Sequence, residues 1–359
     1  SRVSAANLIE SVGLSPKGER ALFAARGDIF SAPIEKGPTR NLTDSSGAHD
    51  KWPSWSPDGS QIAYISDKSG EEELYLVPQD GSKPAEQITQ GGAAMRFSPE
   101  WAHDGKRIAF SDKDGKLYVI TLADRKIVEV ADATRGQIRD YTWSPRGNFL
   151  AFSMVNPNLF QSVFIWSAAD GQLRRVTDET FNSYNPTWDP QGNYLFFLSD
   201  REFAPQISNI EFNFATNRPT YIYALALRKD VKHPFPPESD EVTIAKTDEA
   251  PKPAASPTAE KPADTPAAPP AAEAKPPATL TIDFDGIANR VARVPVGADN
   301  YGGLAAKTGH LLYVVGGAGY YGRAGDRNAS LRIYALKDRK ETTLVDDIRG
   351  YVLSEDGSK

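Results

Sequence analysis

Side chains able to do chemistry are sparse in these 359 residues. Histidine occurs four times, at His49, His103, His233 and His310. They lie too far apart for an HExxH or His-x-His pair, so a histidine-rich metal centre is not expected. Cysteine is absent, which excludes a disulfide framework, a thiol nucleophile and a Cys-ligated zinc or iron–sulfur site. Its absence leaves the redox compartment open. No G-x-S-x-G string is present to seat a serine nucleophile on a strand–turn–helix elbow, and no P-loop string either. Acidic residues recur at Asp67, Asp112 and Asp200, and two facing carboxylates could cleave a glycosidic bond. Equivalent positions in successive repeats are spread around a ring, however, and these carboxylates are expected to accept hydrogen bonds from loop amides. Gly317, Gly319 and Gly322 match G-x-G-x-x-G after the apolar run LLYVV, but RAGDRNAS leads straight into LRIYAL with no helix to receive a pyrophosphate. That match reads as a glycine-rich hairpin loop. Calcium-binding EF-hand loops are missing, and the sequons at Asn41 and Asn328 matter only in a eukaryotic secretory setting. No catalytic residue, metal or cofactor is expected.

Composition narrows the class further. A net charge of −6 argues against nucleic acid as the main partner. No apolar run approaches the roughly 20 residues that span a bilayer, and no basic segment followed by an apolar one marks a signal peptide. Aromatic residues make up 10% of the chain, which suits β-structure.

The strongest pattern is a repeat. WSPDG (55–59), WAHDG (101–105), WSPRG (143–147) and WDPQG (188–192) share one frame, with weaker copies LSPKG (14–18), AAKTG (305–309) and LSEDG (353–357). Successive glycines stand 41, 46, 42, 45, 117 and 48 residues apart, so one interval alone departs from the mid-forties. Three residues after each glycine comes an apolar run such as IAYIS (62–66), IAFS (108–111), LAFS (150–153) or LFFLS (195–199). A second run, then a more polar third, follow between turn residues, and the segment leading into each Trp makes a fourth. Short runs rich in β-branched and aromatic residues between Gly, Asp and Pro turns read as strands. Four strands per period of 40–50 residues is the arithmetic of a propeller blade. The expected fold is an all-β β-propeller of four-stranded blades, seven-bladed with the last blade truncated. Trp55, Pro57, Gly59, Trp101, Gly105, Trp143, Pro145, Gly147, Trp188, Pro190 and Gly192 are assigned to the fold: Pro presets the turn, Gly supplies positive φ, and Trp packs between sheets.

The whole chain, 1–359, is read as a single propeller. Its blades are placed at 8–46, 50–92, 95–133, 138–179, 183–232 with 286–297, 300–346, and an incomplete 347–359. The long interval has a compositional cause: residues 251–278 hold 9 Pro and 10 Ala. A stretch with so little to bury cannot offset its ordering entropy, so 234–278 is expected to be a disordered insertion within blade 5. TYIYALAL before it and RVARVPV after it look like two strands of one blade.

Turns of the SPDG type occur in several propeller families, including TolB and the propellers of prolyl oligopeptidase-like enzymes. Longer strings here resemble tricorn-type proteases: GERALFAARGDIFSAPIEKGPTRNLT (18–43), IAFSDKDGKLYVI (108–120), IRDYTWSPRG (138–147) and FNSYNPTWDPQGNYLFFLSDREF (181–203). IEFNFATNRPTYIYAL (210–225) and IDFDGIANRVARVPVGADNYGGL (282–304) are the most specific. The resemblance covers nearly all of the chain outside the Pro/Ala insertion. It implies a seven-bladed propeller upstream of a PDZ domain and a serine-protease domain of the tail-specific, C-terminal-processing type. The family's nucleophilic Ser, base His and oxyanion hole belong to those downstream domains, so no catalytic residue carries over to this chain. The family's six-bladed propeller has no counterpart here. The resemblance further implies a gated passage that filters peptide substrates toward an enclosed protease site.

The leading expectation is therefore a non-catalytic propeller of a tricorn-like serine protease. Its partners would be unfolded polypeptide substrates, the downstream PDZ and protease domains, and further copies of itself. The alternative is a free-standing TolB-like propeller that docks a protein partner on one face. A propeller enzyme such as a glycosidase or lactonase lacks the acid/base pair or metal cluster it would need. An exported bacterial location is expected, with the cytoplasm as alternative. Because the last repeat stops just past its first turn, at Lys359, an unpaired edge is expected. A chain extended by about 40 residues, one blade of such a repeat, should melt at a higher temperature. Equal melting temperatures for the two would refute this.

Overall fold

A computed structural model describes residues 8–202, 206–207, 214–215, 218–236, 279–318 and 325–359. The apolar runs form strands, and the strands form six antiparallel four-stranded sheets. Blade 1 is β1 (Ile9–Leu14), β2 (Arg20–Ala25), β3 (Asp28–Pro33) and β4 (Arg40–Asn41). Blade 2 is β5 (Asp50–Trp55), β6 (Gln61–Ser66), β7 (Glu73–Pro78) and β8 (Glu86–Gln87). β9 (Glu100–Trp101), β10 (Arg107–Ser111), β11 (Lys116–Thr121) and β12 (Ile127–Asp132) make blade 3. β13 (Thr142–Trp143), β14 (Phe149–Val155), β15 (Gln161–Ser167) and β16 (Leu173–Arg175) make blade 4. In blade 5, β17 (Ser183–Trp188) and β18 (Tyr194–Ser199) are followed by a small hairpin of β19 (Gln206–Ile207) and β20 (Phe214–Ala215). The sheet then resumes with β21 (Tyr221–Ala226) and ends with β22 (Val291–Arg293). Blade 6 is β23 (Asn300–Lys307), β24 (His310–Gly316), β25 (Ser330–Ala335) and β26 (Lys340–Val345). The Pro/Ala stretch expected over 234–278 lies, beyond Pro236, outside the described residues.

The blade count corrects one expectation. Six blades are complete, and the seventh repeat contributes a turn but no strand among the described residues. A strand exists only when its backbone groups pair with a neighbour. Residues 350–359 hold the turn LSEDG and no strand. The turn itself is complete: Gly357 N donates to Ser354 O at 2.9 Å and Ser354 N to Lys359 O at 2.9 Å.

The second strands show why the sheets stack. Residues 62–65 alternate: Ile62 and Tyr64 enter a core shared with Leu22 and Ile29 of blade 1, while Ala63 and Ile65 enter one shared with Ile108 and Phe110 of blade 3. In β14, Leu150 and Phe152 pack toward blade 3, and Phe149 and Ala151 toward blade 5. In β18, Leu195 and Phe197 face blade 4, and Phe196 and Leu198 face blade 6. Such strands read as unbroken apolar runs because both sheet faces are covered. The repeated Trp fixes the spacing between neighbours. Trp101 Nε1 donates to Ser54 O (3.2 Å), Trp143 Nε1 to Glu100 O (3.0 Å) and Trp188 Nε1 to Thr142 O (3.1 Å). Each indole thus reaches the residue just before the preceding blade's Trp. The series stops at blade 6, where Ala305 holds the Trp position and β23 runs on to a tight Thr308–Gly309 turn.

Gly105 has φ 69°, and a Cβ there would meet nothing within 4 Å. Gly105→Ala should then cost only the left-handed backbone penalty, about 1–2 kcal/mol. Trp143 is 1% exposed, donates across blades and meets Trp166 edge-on at 6.4 Å. Trp143→Ala should cost about 3–5 kcal/mol. Urea unfolding of both variants checks the ranking, and a larger loss for Gly105→Ala would overturn it.

Candidate functional site

The first strands of the blades stand side by side around an axis, held by the indole bonds just described. Asn185, at φ 51° in the β17 bulge, adds a second tie: its N–H donates to Asp140 Oδ2 (2.8 Å) and its Oδ1 accepts from Leu304 N (3.0 Å). One residue thereby links blades 4, 5 and 6. The space the first strands enclose is a cavity of about 510 Å³ whose lining includes Leu14, Trp52, Trp55, Glu100 and Trp143. A second cavity, about 780 Å³, lies beside it against Pro145, Pro190, Lys307 and Gly357 and reaches Ile333 and Leu344 on the outer strands of blade 6. Both are lined by His103, Thr142, Trp143, Leu353 and Glu355, which therefore stand between them.

The repeated turns ring the mouth of the lumen. Counting back two residues from each turn glycine gives Pro16, Pro57, His103, Pro145, Pro190, Lys307 and Glu355. The three departures from proline meet. His103 Nε2 lies 3.1 Å from Glu355 Oε1, and Lys307 Nζ donates to Ser354 O (3.3 Å) and Glu355 O (3.0 Å). Asp356 N donates to Pro16 O (3.3 Å), so the seventh turn also touches the first.

The electrostatics follow from this crowding. Glu100 opens onto the lumen but is surrounded by protein, and this desolvation pushes its carboxyl up to about 7; Glu355 adds to the effect and His103 opposes it. Burial disfavours the charged form of His103, but the hydrogen bond and charge of Glu355, with Glu100 behind, outweigh it and raise its pKa. Glu355 is held below the usual carboxylate range, first by its hydrogen bond to His103.

The other singled-out residues stay apart. Asp67 Oδ1 accepts from His49 N (2.7 Å), and Asp112 Oδ1 from Lys116 N (3.0 Å). Asp200 Oδ1 accepts from Thr220 Oγ1 (2.8 Å). They stand on three different blades, at the ends opposite the turns, and form no carboxylate pair. Gly317 ends the β24 side of a loop, while Gly319 and Gly322 lie outside the described residues. Among the described residues no group of three His, Cys, Asp or Glu could hold a metal, and no helix is long and apolar enough to cross a membrane. The sequence pattern does carry a signal for this meeting point: three turns replace proline with residues of complementary charge at one repeat position. Spacing along the chain hides it, because the three lie on distant repeats.

Comparison with known proteins agrees with this architecture. The family model described as the tricorn protease second beta propeller domain matches residues 9–359. Tricorn protease homolog 1 of Streptomyces coelicolor is 26% identical over 369 residues, covering 99% of this chain and 33% of that protein. The Tol-Pal system protein TolB of Bordetella pertussis is 32% identical over 151 residues, 41% of this chain and 34% of that one. The crystal structure of the tricorn protease aligns with a TM-score of 0.76 at 16% identity, over 98% of this chain and 31% of that chain, a likeness of fold. The chain thus spans about a third of the length of these tricorn relatives. Blades, turns and the match over residues 9–359 together show that the chain belongs to the family of tricorn protease second β-propeller domains.

Proposed function

We propose that this chain is a non-catalytic propeller of a tricorn-like serine protease, and that its axial channel filters extended peptides on their way to a protease domain outside these residues. The observation that carries the reading is the lumen: a cavity of about 510 Å³ lined by first-strand residues of blades 1 to 4 and by Leu353. An extended peptide is one chain thick and a folded domain is not, so the walls select by shape. The half-buried Trp52 and Trp55 offer apolar contact that does not depend on peptide sequence. The chemistry, the PDZ partner and any self-association then belong to the parent assembly. A TolB-like docking propeller is the second reading, favoured by the 32% identity to TolB over 41% of the chain.

Fluorescence anisotropy of a labelled unstructured peptide separates the two. The full chain should bind the peptide and ignore a compact globular protein. Thr142→Trp and Leu353→Trp, both lining the lumen, should each abolish binding while the melting temperature holds. Peptide binding that survives both fillings would move the site to the outer surface, as the second reading requires. No binding by the unaltered chain would sink the channel reading.

A further inference from the structure

The lumen has a charge pattern that the channel reading does not require. Glu100, His103 and Glu355 are the ionisable groups among the described residues lining the cavity of about 510 Å³, and no lysine or arginine joins them. An adjoining cavity of about 440 Å³, between the turns of blades 2 and 3, adds Asp58 and Asp104 and again no lysine or arginine. The cavity of about 780 Å³, by contrast, is lined by Arg146 and Lys307. The anionic character therefore belongs to the lumen and to the turns of blades 2 and 3.

Two of the three ionisable groups in the lumen are committed to each other. His103 Nε2 and Glu355 Oε1 lie 3.1 Å apart. Glu100 is left over. Its backbone carbonyl accepts from Trp143 Nε1, but among the described residues no group hydrogen-bonds its carboxylate. Protein surrounds it all the same, and an enclosed carboxylate without a partner is costly to ionise. Its carboxyl, pushed up to about 7, reflects that cost. A positive charge brought into the lumen would offset it.

The aromatic wall has the matching property. Trp52, Trp55, Trp101 and Trp143, four of the six tryptophans, line the same cavity. Trp101 and Trp143 are fixed by their Nε1 bonds to the preceding blade. Trp52 and Trp55 are half-buried, and their Nε1 atoms find no partner among the described residues. Trp52 also stands at φ 56° in the β5 bulge, at the repeat position that Asn185 holds in blade 5. Asparagine tolerates that left-handed backbone far better than a bulky residue does. Such strain gathers at ligand-binding sites. An indole face attracts an ammonium or guanidinium group, most strongly away from bulk water.

We infer that the lumen is a cation site, in which the Glu100 carboxylate and the Trp52 and Trp55 rings receive the ammonium or guanidinium group of a passing peptide. The passing peptide rests on the channel reading, whereas the site rests on the lining alone. A side-chain cation and a free amino terminus share this chemistry.

Fluorescence anisotropy at about pH 8, where Glu100 is ionised, compares unstructured peptides of one length labelled at the carboxy terminus. One is acetylated and carries a single arginine. Two more are acetylated with glutamine or glutamate in its place, and a fourth keeps the glutamine but has a free amino terminus. The arginine peptide, the free-amine peptide or both should bind the full chain about ten-fold more tightly than the acetylated glutamine peptide. Glu100→Gln should remove the difference, and Glu100→Lys should turn it in favour of the glutamate peptide. Asp285→Asn, which removes one charge from a side chain 92% exposed on blade 5, should leave it unchanged. Melting curves confirm that each variant is folded. Equal binding of all four peptides to the unaltered chain would overturn the cation site and leave the channel reading standing. A preference that survives Glu100→Gln would belong to the outer surface and would overturn the site as well. N-acetyl-argininamide, followed by tryptophan emission, carries the test without a peptide. Emission that responds in the unaltered chain but not in Glu100→Gln, with no peptide bound, would uphold the site and remove the channel reading. No response and no peptide bound would remove both.

Discussion

A four-stranded sheet with apolar side chains on both faces is unstable in water until each face is covered, and that constraint organises this molecule. Alternate residues of one strand belong to different cores: Ile62 and Tyr64 to one neighbour, Ala63 and Ile65 to the other. No blade can satisfy both faces alone, so blades must stack in series. Twisted sheets stacked face to face turn about an axis and leave their first strands along it. The lumen follows from that stacking, without any residue dedicated to making it.

The same constraint explains where the chain can vary. Trp101, Trp143 and Trp188 are tied into cores and into the neighbouring blade's backbone, so their positions tolerate little. The residue two before each turn glycine lies at the mouth, outside those cores. Proline there stiffens the turn, but His103, Lys307 and Glu355 are accommodated without disturbing a packed face. Changes at this position alter the chemistry of the mouth while leaving the propeller intact. Glu100 shows the complementary case: its backbone carbonyl holds Trp143 while its carboxyl opens to the lumen, so one residue serves both the frame and the channel.

Much of the fold was legible in the residues. The W-S-P-D-G frame located turns that all place glycine at positive φ, and runs such as IAYIS and LFFLS marked strands covered on both faces. RVARVPV was readable as the last strand of an interrupted blade, and β22 lies there. The total of seven blades was an overestimate by the period, because a repeat can be recognised from its turn alone. The candidate site was much less visible. His103 was one isolated histidine among four, and its partner lay in the last few residues of the chain.

Local chemistry therefore determined the elements of this protein: which residues turn, which extend, and that every sheet needs a neighbour on each side. Those properties depend on side chains within a few positions of one another, which is the range over which sequence order and spatial proximity coincide. Only the tertiary arrangement of the turns decided that His103, Lys307 and Glu355 meet, that Glu100 opens onto the lumen, and that two cavities adjoin there. These depend on the angle accumulated over successive blades, and that angle brings together residues that no spacing along the chain connects.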